Sequence, residues 1–373
     1  MGKRREEPSS SSEDEEDVKV LVAQQKKRRI ARKNIIKETI YNPRINATYA
    51  SHAGRVFIFG GEWTDGEVTR YPEETLIMLE KGMWYTVDYG VGPTPRSACH
   101  GVVKDGSLWV YGGEIGSSRE SSFVQFGEFW RLDLTTLTWK QLEAKNGPGP
   151  RSGHRMALFD NRIVLFGGYR DNGKQLTYLD DFWSFDGTKW ERLAAGPGPR
   201  SACHLATHGT DLYLFGGFTV QTLSPDGKPL NDLWRFRAGR WESICSSNTP
   251  IARSSASSFS IDGNLFLFGG VIEEGKHSKP LSDLSVLELP RCNWKKLADG
   301  FTLPRLNAGL LLIDNSLFIF GGLYETRDES VVLDDILRIS LDELKAEVIR
   351  GLTVELPEIE ESEEESSSSE SED

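Results

Sequence analysis

From about residue 43 onward the chain alternates short apolar runs with polar turns, at a spacing that suits strands rather than helices. Six of these runs end in a glycine pair: "VFIFGG" at 60–61, "LWVYGG" at 112–113, "IVLFGG" at 167–168, "LYLFGG" at 216–217, "LFLFGG" at 269–270 and "LFIFGG" at 321–322. The first glycines lie 52, 55, 49, 53 and 52 residues apart. An arginine stands 16 residues before each pair, at Arg44, Arg96, Arg151, Arg200, Arg253 and Arg305. A tryptophan follows 23 to 27 residues after the first glycine in five repeats, at Trp84, Trp139, Trp190, Trp241 and Trp294, and is lost near Ala346 in the sixth. Residues 150–193 lay out one period: "RSGHRMALF" and "RIVLFGG" read as strands joined through Asp160–Asn161, then "DDFWSFD" and "KWERL" joined across Asp186–Gly187. Two-residue connections of this kind suit hairpins that need positive φ.

A four-stranded unit cannot bury both of its faces alone, so stacking around a ring must supply the core. The pattern therefore predicts an all-β fold, a six-bladed β-propeller over residues 43–351 as one domain, with "KAEVIRG" as its last outer strand. Because the first and sixth repeats each carry four strand runs, the ring is expected to close by packing of one blade on the other.

The flanks have a different composition. Residues 1–17 and 352–373 are Ser/acidic tracts that bury too little apolar surface to offset chain entropy, and disorder is expected there. Residues 18–42 favour a short basic helix. The net charge of −12 follows this division: 1–42 hold 11 Lys and Arg against 8 Asp and Glu, whereas 352–373 hold 10 acids and no base. The repeats between carry only −5. No direct nucleic-acid binding by the propeller is expected from so mild a charge. With no signal sequence or apolar span in view, a soluble intracellular protein is expected, cytoplasmic or nuclear, without a membrane partner. "KKRRIARK" (26–33) makes Lys26, Lys27, Arg28 and Arg29 candidates for nuclear import, with a solvated helix face as the alternative. Ser12, Ser362, Ser369 and Ser371 precede acidic residues, as acidophilic kinases prefer.

Candidate chemistry is sparse. "PRSACH" occurs twice and sets Cys99 beside His100 and Cys203 beside His204. Neighbours on a strand point to opposite faces, so such a pair cannot grip one metal or share a proton. The cysteine slot reads Ala47, Cys99, His154, Cys203, Ala256 and Ala308 across the repeats, which marks a packing position. The four cysteines form no CxxC pair and read as reduced thiols. "SFDGTKW" (184–190) approaches the Asp box of six-bladed sialidases but has the wrong spacing, and a hairpin turn accounts for it. No phosphate-binding loop, metal set or cofactor motif is found, so no catalytic residues, no metal and no cofactors are expected, and the chain reads as not an enzyme.

Six in-register repeats with Gly-Gly, Arg and late Trp resemble the kelch-repeat family over about 300 residues, with "PRINA", "LWVYGGE" and "GPGPRSGHRM" as points of likeness. The resemblance implies a non-enzymatic scaffold or adaptor, a monomeric propeller that binds a protein partner on its loop face. It also implies that residues just after the arginine and just after Gly-Gly line the channel mouth. Those columns vary between repeats, and they make Ser97, Ser152, Ser201, Ser254, Tyr169 and Phe218 candidate partner contacts, with Glu62 and Glu114 adding acidity. The alternative is that small residues simply suit a crowded inner strand. The rival functions are a ubiquitin-ligase substrate receptor and a sialidase-type hydrolase.

Overall fold

The computed structural model describes residues 35–340 and Asp342, apart from short stretches at 66–67, 73–74, 117–122, 144–145, 173–174, 222–223, 275–276 and 326–329. Lys26–Arg29 and both Ser/acidic tracts lie outside the described residues, as does "KAEVIRG". Blade three folds as the sequence predicts, with strands Arg155–Phe159, Arg162–Phe166, Phe182–Phe185 and Trp190–Arg192 pairing antiparallel in that order. Its first turn takes positive φ at Asp160 (49°) and Asn161 (57°), the geometry for which Asp and Asn were read as turn residues. Asp186 closes the second turn, accepting hydrogen bonds from Thr188 N, Thr188 Oγ1 and Lys189 N.

Blades one, two, four and five repeat this four-stranded meander, and blade six is described as three strands, Gly309–Ile313, Ser316–Phe320 and Ile336–Ser340. The first strands, beginning at Ile45, His100, Arg155, His204, Ser257 and Gly309, are ring neighbours, and the sixth lies against the first. The protein is an all-β, six-bladed β-propeller closed by packing of blade six on blade one.

The core lies between blades, and each of the six junctions has its own apolar cluster. The repeated tryptophan reaches into the preceding blade and packs against the aromatic residue just before its Gly-Gly. The pairs are Trp139 with Phe59 (5.0 Å between ring centres), Trp190 with Tyr111 (5.8 Å), Trp241 with Phe166 (5.8 Å), Trp294 with Phe215 (4.7 Å) and Trp84 with Phe320 (6.5 Å). At the junction of blades five and six, Phe301 from the connecting segment packs on Phe268 instead, at 5.9 Å. An aromatic residue thus stands beside the Gly-Gly strand at every junction, including the one whose tryptophan the sequence lacks.

One expectation is overturned over its described part, residues 35–42, while 18–34 lie outside the described residues. Within 18–42, where a basic helix was expected, Ile35–Thr39 forms a β-strand that pairs with the outer strand Met83–Asp88 of blade one, from Ile35↔Asp88 to Thr39↔Trp84. Local residues favour a helix, but an outer strand offers a row of unpaired backbone groups, and the β-branched Ile35, Ile36 and Thr39 fit a pleated edge. The chain then crosses the blade, and Tyr41 packs on both Trp84 and Phe320 at the seam where the ring closes.

The six arginines explain how the blades hold their shape. Each donates from Nη1 to the carbonyl of the first glycine 16 residues later, at 2.9–3.1 Å. Five also meet a carboxylate at the foot of the third strand: Arg96–Glu128, Arg151–Asp181, Arg200–Asp232, Arg253–Asp283 and Arg305–Asp335. Three of these acids also accept an indole N–H two residues on, from Trp130, Trp183 and Trp234. Burial pushes the Asp181 carboxyl up, but the Arg151 hydrogen bonds and charge outweigh it and hold it below the usual carboxylate range. Removing one partner of such a pair strands the other charge in the interior. Asp181→Ala is therefore expected to destabilise the fold by about 3–5 kcal/mol in urea unfolding, whereas Glu191→Ala, which breaks the exposed Arg162–Glu191 pair on the same blade, should cost less than about 1 kcal/mol.

Candidate functional site

Every blade carries the two variable columns to one place, the end of the channel where the second strand leaves and the first begins. The residue after the arginine and the residue after Gly-Gly pair antiparallel in all six: Ile45↔Glu62, Ser97↔Glu114, Ser152↔Tyr169, Ser201↔Phe218, Ser254↔Val271 and Leu306↔Leu323. Beyond these pairs the chain makes small hairpins, such as Glu114–Gly116 with Phe123–Gln125 and Tyr169–Asp171 with Leu176–Tyr178. In blade four the hairpin continues the second and third strands past register shifts at Phe215/Gly217 and Thr219/Gln221.

The next column, Asn46, Ala98, Gly153, Ala202, Ser255 and Asn307, has one shared property that its varied side chains conceal. All six have φ between 49° and 63°. This left-handed turn aims backbone groups at the neighbouring blade, with Ala98 N donating to Asn46 O, Gly153 N to Ala98 O, Ala202 N to Gly153 O and Asn307 N to Ser255 O at 2.7–3.0 Å. Glycine and asparagine adopt that conformation most readily, so backbone geometry accounts for Asn46, Gly153 and Asn307 in this column.

The predicted contacts divide by exposure. Ser97, Ser152 and Ser201 are brought to the mouth but are buried, at 1%, 0% and 7% exposure, beneath the hairpins. Their hydroxyls lie under the hairpins, and Ser254 is half-buried. Tyr169 and Phe218 are half-buried at the surface, and Tyr178 stands between them, 6.0 Å from one ring and 6.2 Å from the other. Phe123, Leu176 and Val331 are exposed apolar residues on hairpins of the same face.

The acids are tied into this surface. The Glu114 carboxylate accepts from Tyr169 Oη (2.6 Å) and Gln125 Nε2 (3.0 Å), and Gln125 also donates to Ser152 Oγ (3.2 Å). Glu62 accepts from Asn46 Nδ2 at 2.7 Å. Burial, then the charges of Glu114 and Glu62, raise the Tyr169 hydroxyl pKa; burial, then Glu62 and Glu114, do the same to Tyr71, whose oxygen accepts from Gly116 N. Glu62 and Glu114 therefore act on the same two phenols, which stay protonated and can donate. Tyr71, Gln125 and Tyr178 were missed from the sequence because their hairpin positions differ from blade to blade. The acids that meet five of the arginines were missed as well, although an Asp or Glu 14 or 16 residues after the first glycine is visible in every repeat.

Below the mouth lies a central channel of about 600 Å³ lined by the first strands. His100, Arg155 and His204 begin three successive first strands and line it. Cys99 and Cys203 pack between blades, as expected for the repeated slot. His154 fills the same slot in blade three with both ring nitrogens buried and unbonded, its ring edge-on to Tyr111 at 5.7 Å. The described residues contain no group of three or more His, Cys, Asp or Glu placed to hold a metal ion.

The chain matches the KLHDC2/KLHL20/DRC7 Kelch-repeats domain over residues 46–270 and again over 191–351. It belongs to the kelch-repeat family. Host cell factor 1 of Homo sapiens is 30% identical over a match covering 34% of this chain and 7% of that protein. The Leucine-zipper-like transcriptional regulator 1 homolog of Drosophila melanogaster is 24% identical over 79% of the chain and 31% of that protein. The chain therefore spans less than a third of the length of these curated relatives. The structure of YjhT shares the fold, with a TM-score of 0.63, 17% identity, and coverage of 82% of this chain and 97% of that one.

The histidines give this kelch domain an acid limit. Burial, then the Arg155 charge, lowers His100 to about 3; burial, then Arg155 and Arg253, lowers His204 to about 3; burial holds His154 well below its usual range. All three take up protons on unfolding once the pH is below the unfolded value near 6.5. Their contribution is thus intact above about pH 6.5 and is lost as pH falls toward the folded values. Urea midpoints measured from pH 7.5 to 4.5 should fall with a slope of more than one proton. His154→Cys, which restores the residue used in blades two and four, should make that slope shallower.

Proposed function

We propose that this kelch domain is a non-enzymatic protein-interaction module that binds a partner protein or peptide on its hairpin face. The observation that carries the reading is the aromatic ridge Tyr169–Tyr178–Phe218 beside the Glu114–Tyr169–Gln125 network, on a rim that also presents exposed Phe123, Leu176 and Val331. Half-buried aromatic residues set among satisfied polar groups are the anchors that protein interfaces favour. Rigid blades hold them in place, so little ordering is needed on binding.

The sialidase-type alternative calls for several arginines converging in the channel. Each of the six repeated arginines instead bonds a glycine carbonyl of its own blade, which favours the binding reading. The charged N-terminal segment, "PRINA" and "LWVYGGE" further suggest kinship with Kelch domain-containing protein 4 and its fungal relatives. A partnership with a ubiquitin ligase remains the rival within the binding class, and it calls for a cullin among the co-purifying proteins.

Affinity capture followed by a binding titration with the main captured partner tests the face. Tyr169→Ala with Phe218→Ala should weaken that partner at least tenfold while leaving the thermal unfolding midpoint near the wild-type value. An unchanged affinity would move the interface away from this rim.

A further inference from the structure

The channel below the hairpin face has a charge arrangement that partner binding does not use. Five of the six repeated arginines, Arg96, Arg151, Arg200, Arg253 and Arg305, each meet a carboxylate. Arg155 does not. It is half-buried in the channel wall, and its side chain makes one hydrogen bond, from Nη1 to the carbonyl of His154 at 3.1 Å, with no carboxylate partner among the described residues. A guanidinium has five N–H donors, so most of its capacity faces the channel. His100, at the equivalent position of blade two, accepts the Met156 N–H at Nδ1 (3.2 Å), so its neutral ring carries the proton on Nε2 and donates from there. His204, at the equivalent position of blade four, has Nδ1 paired with Ser258 Oγ at 2.8 Å. The same position holds Thr48, Ser257 and Gly309 in the other three blades, where Thr48 and Ser257 bond carbonyls of the next blade, leaving that side of the channel to small groups.

We propose that the channel holds a small free oxyanion of the phosphate or sulfate kind between Arg155, His100 and His204. A guanidinium flanked by ring N–H donors matches the several acceptor oxygens of such an ion, and the channel volume of about 600 Å³ leaves ample room for it. The one carboxylate in the channel lining, Glu114, is already engaged by Tyr169 and Gln125 at the mouth. Charged and titratable groups facing the histidines are Arg155 and His154 for His100, and Arg155 and Arg253 for His204. A bound oxyanion would offset Arg155, the cation common to both, and so make each histidine easier to protonate.

The test is thermal unfolding of the full chain with sodium phosphate or sodium sulfate titrated at fixed ionic strength against chloride. The expected result is a saturable rise of about 2 °C or more in Tm at pH 7.5. Arg155→Gln should abolish the rise, and His204→Gln should weaken the binding at least threefold while keeping Arg155 in place, which guards against a variant that simply folds poorly. A rise linear in salt and shared by all variants is general salt stabilisation and would overturn the proposal, as would no effect beyond chloride. A saturable effect seen only with an acidic peptide, and not with the free ions, would also overturn it. None of these readouts involves the protein partner, so this site and the hairpin-face interface stand or fall separately.

Discussion

Each blade is built around a buried arginine that satisfies several groups at once. Its guanidinium bonds the carbonyl of the first glycine of its own blade, and in five blades an acid from the third strand. Its own carbonyl accepts the N–H of the second glycine of the preceding blade, as in Gly61 to Arg96, Gly113 to Arg151, Gly168 to Arg200 and Gly270 to Arg305, at 2.9–3.0 Å. The glycine pair is the counterpart of this arrangement. A Cβ on Gly60 would sit 2.3 Å from the Arg96 carbonyl oxygen, and one on Gly112 would sit 2.5 Å from that of Arg151. With positive φ as well, no other residue allows that approach. The constant spacing of 16 residues between arginine and glycine is the length of the hairpin that brings the two together.

This clamp lies next to the surface that varies. The residue after the arginine and the residue after Gly-Gly are bridged through their backbones in every blade, so their side chains can change without moving the frame. Blades one to three use this freedom for an acid and phenol network, blades three and four for an aromatic ridge, and blades five and six for aliphatic residues. The mouth is therefore asymmetric in chemistry although the frame beneath it is nearly symmetric.

A repeated frame also dictates what the odd residues are forced into. His154 occupies a slot that elsewhere holds Ala or Cys, and remains neutral because burial and the neighbouring Arg151 and Arg155 disfavour its charged form. Arg155, its strand neighbour, points the other way, into the channel, as alternation along a strand requires. The acid sensitivity expected of the histidines and the free donors of Arg155 thus have a common origin in three adjacent first strands.

The repeat was legible in the sequence because its determinants are local: strand runs, Gly-Gly, Asp–Asn turns and Trp recur at nearly fixed intervals, and they specified six blades, their strands and the packing role of Cys99 and Cys203. The tertiary structure decided what depends on contact between distant segments. Ile35–Thr39 became a strand because blade one offers an open edge, against its local helical tendency. Ser97, Ser152 and Ser201 were found by column, but only the overlying hairpins determine that their hydroxyls are buried. Tyr169 was read as an aromatic contact, yet its acid partner Glu114 comes from another blade, 55 residues away in the chain. Periodicity records what every blade must share; which unlike residues meet across the ring is set by closure, which brings together segments that no local pattern relates.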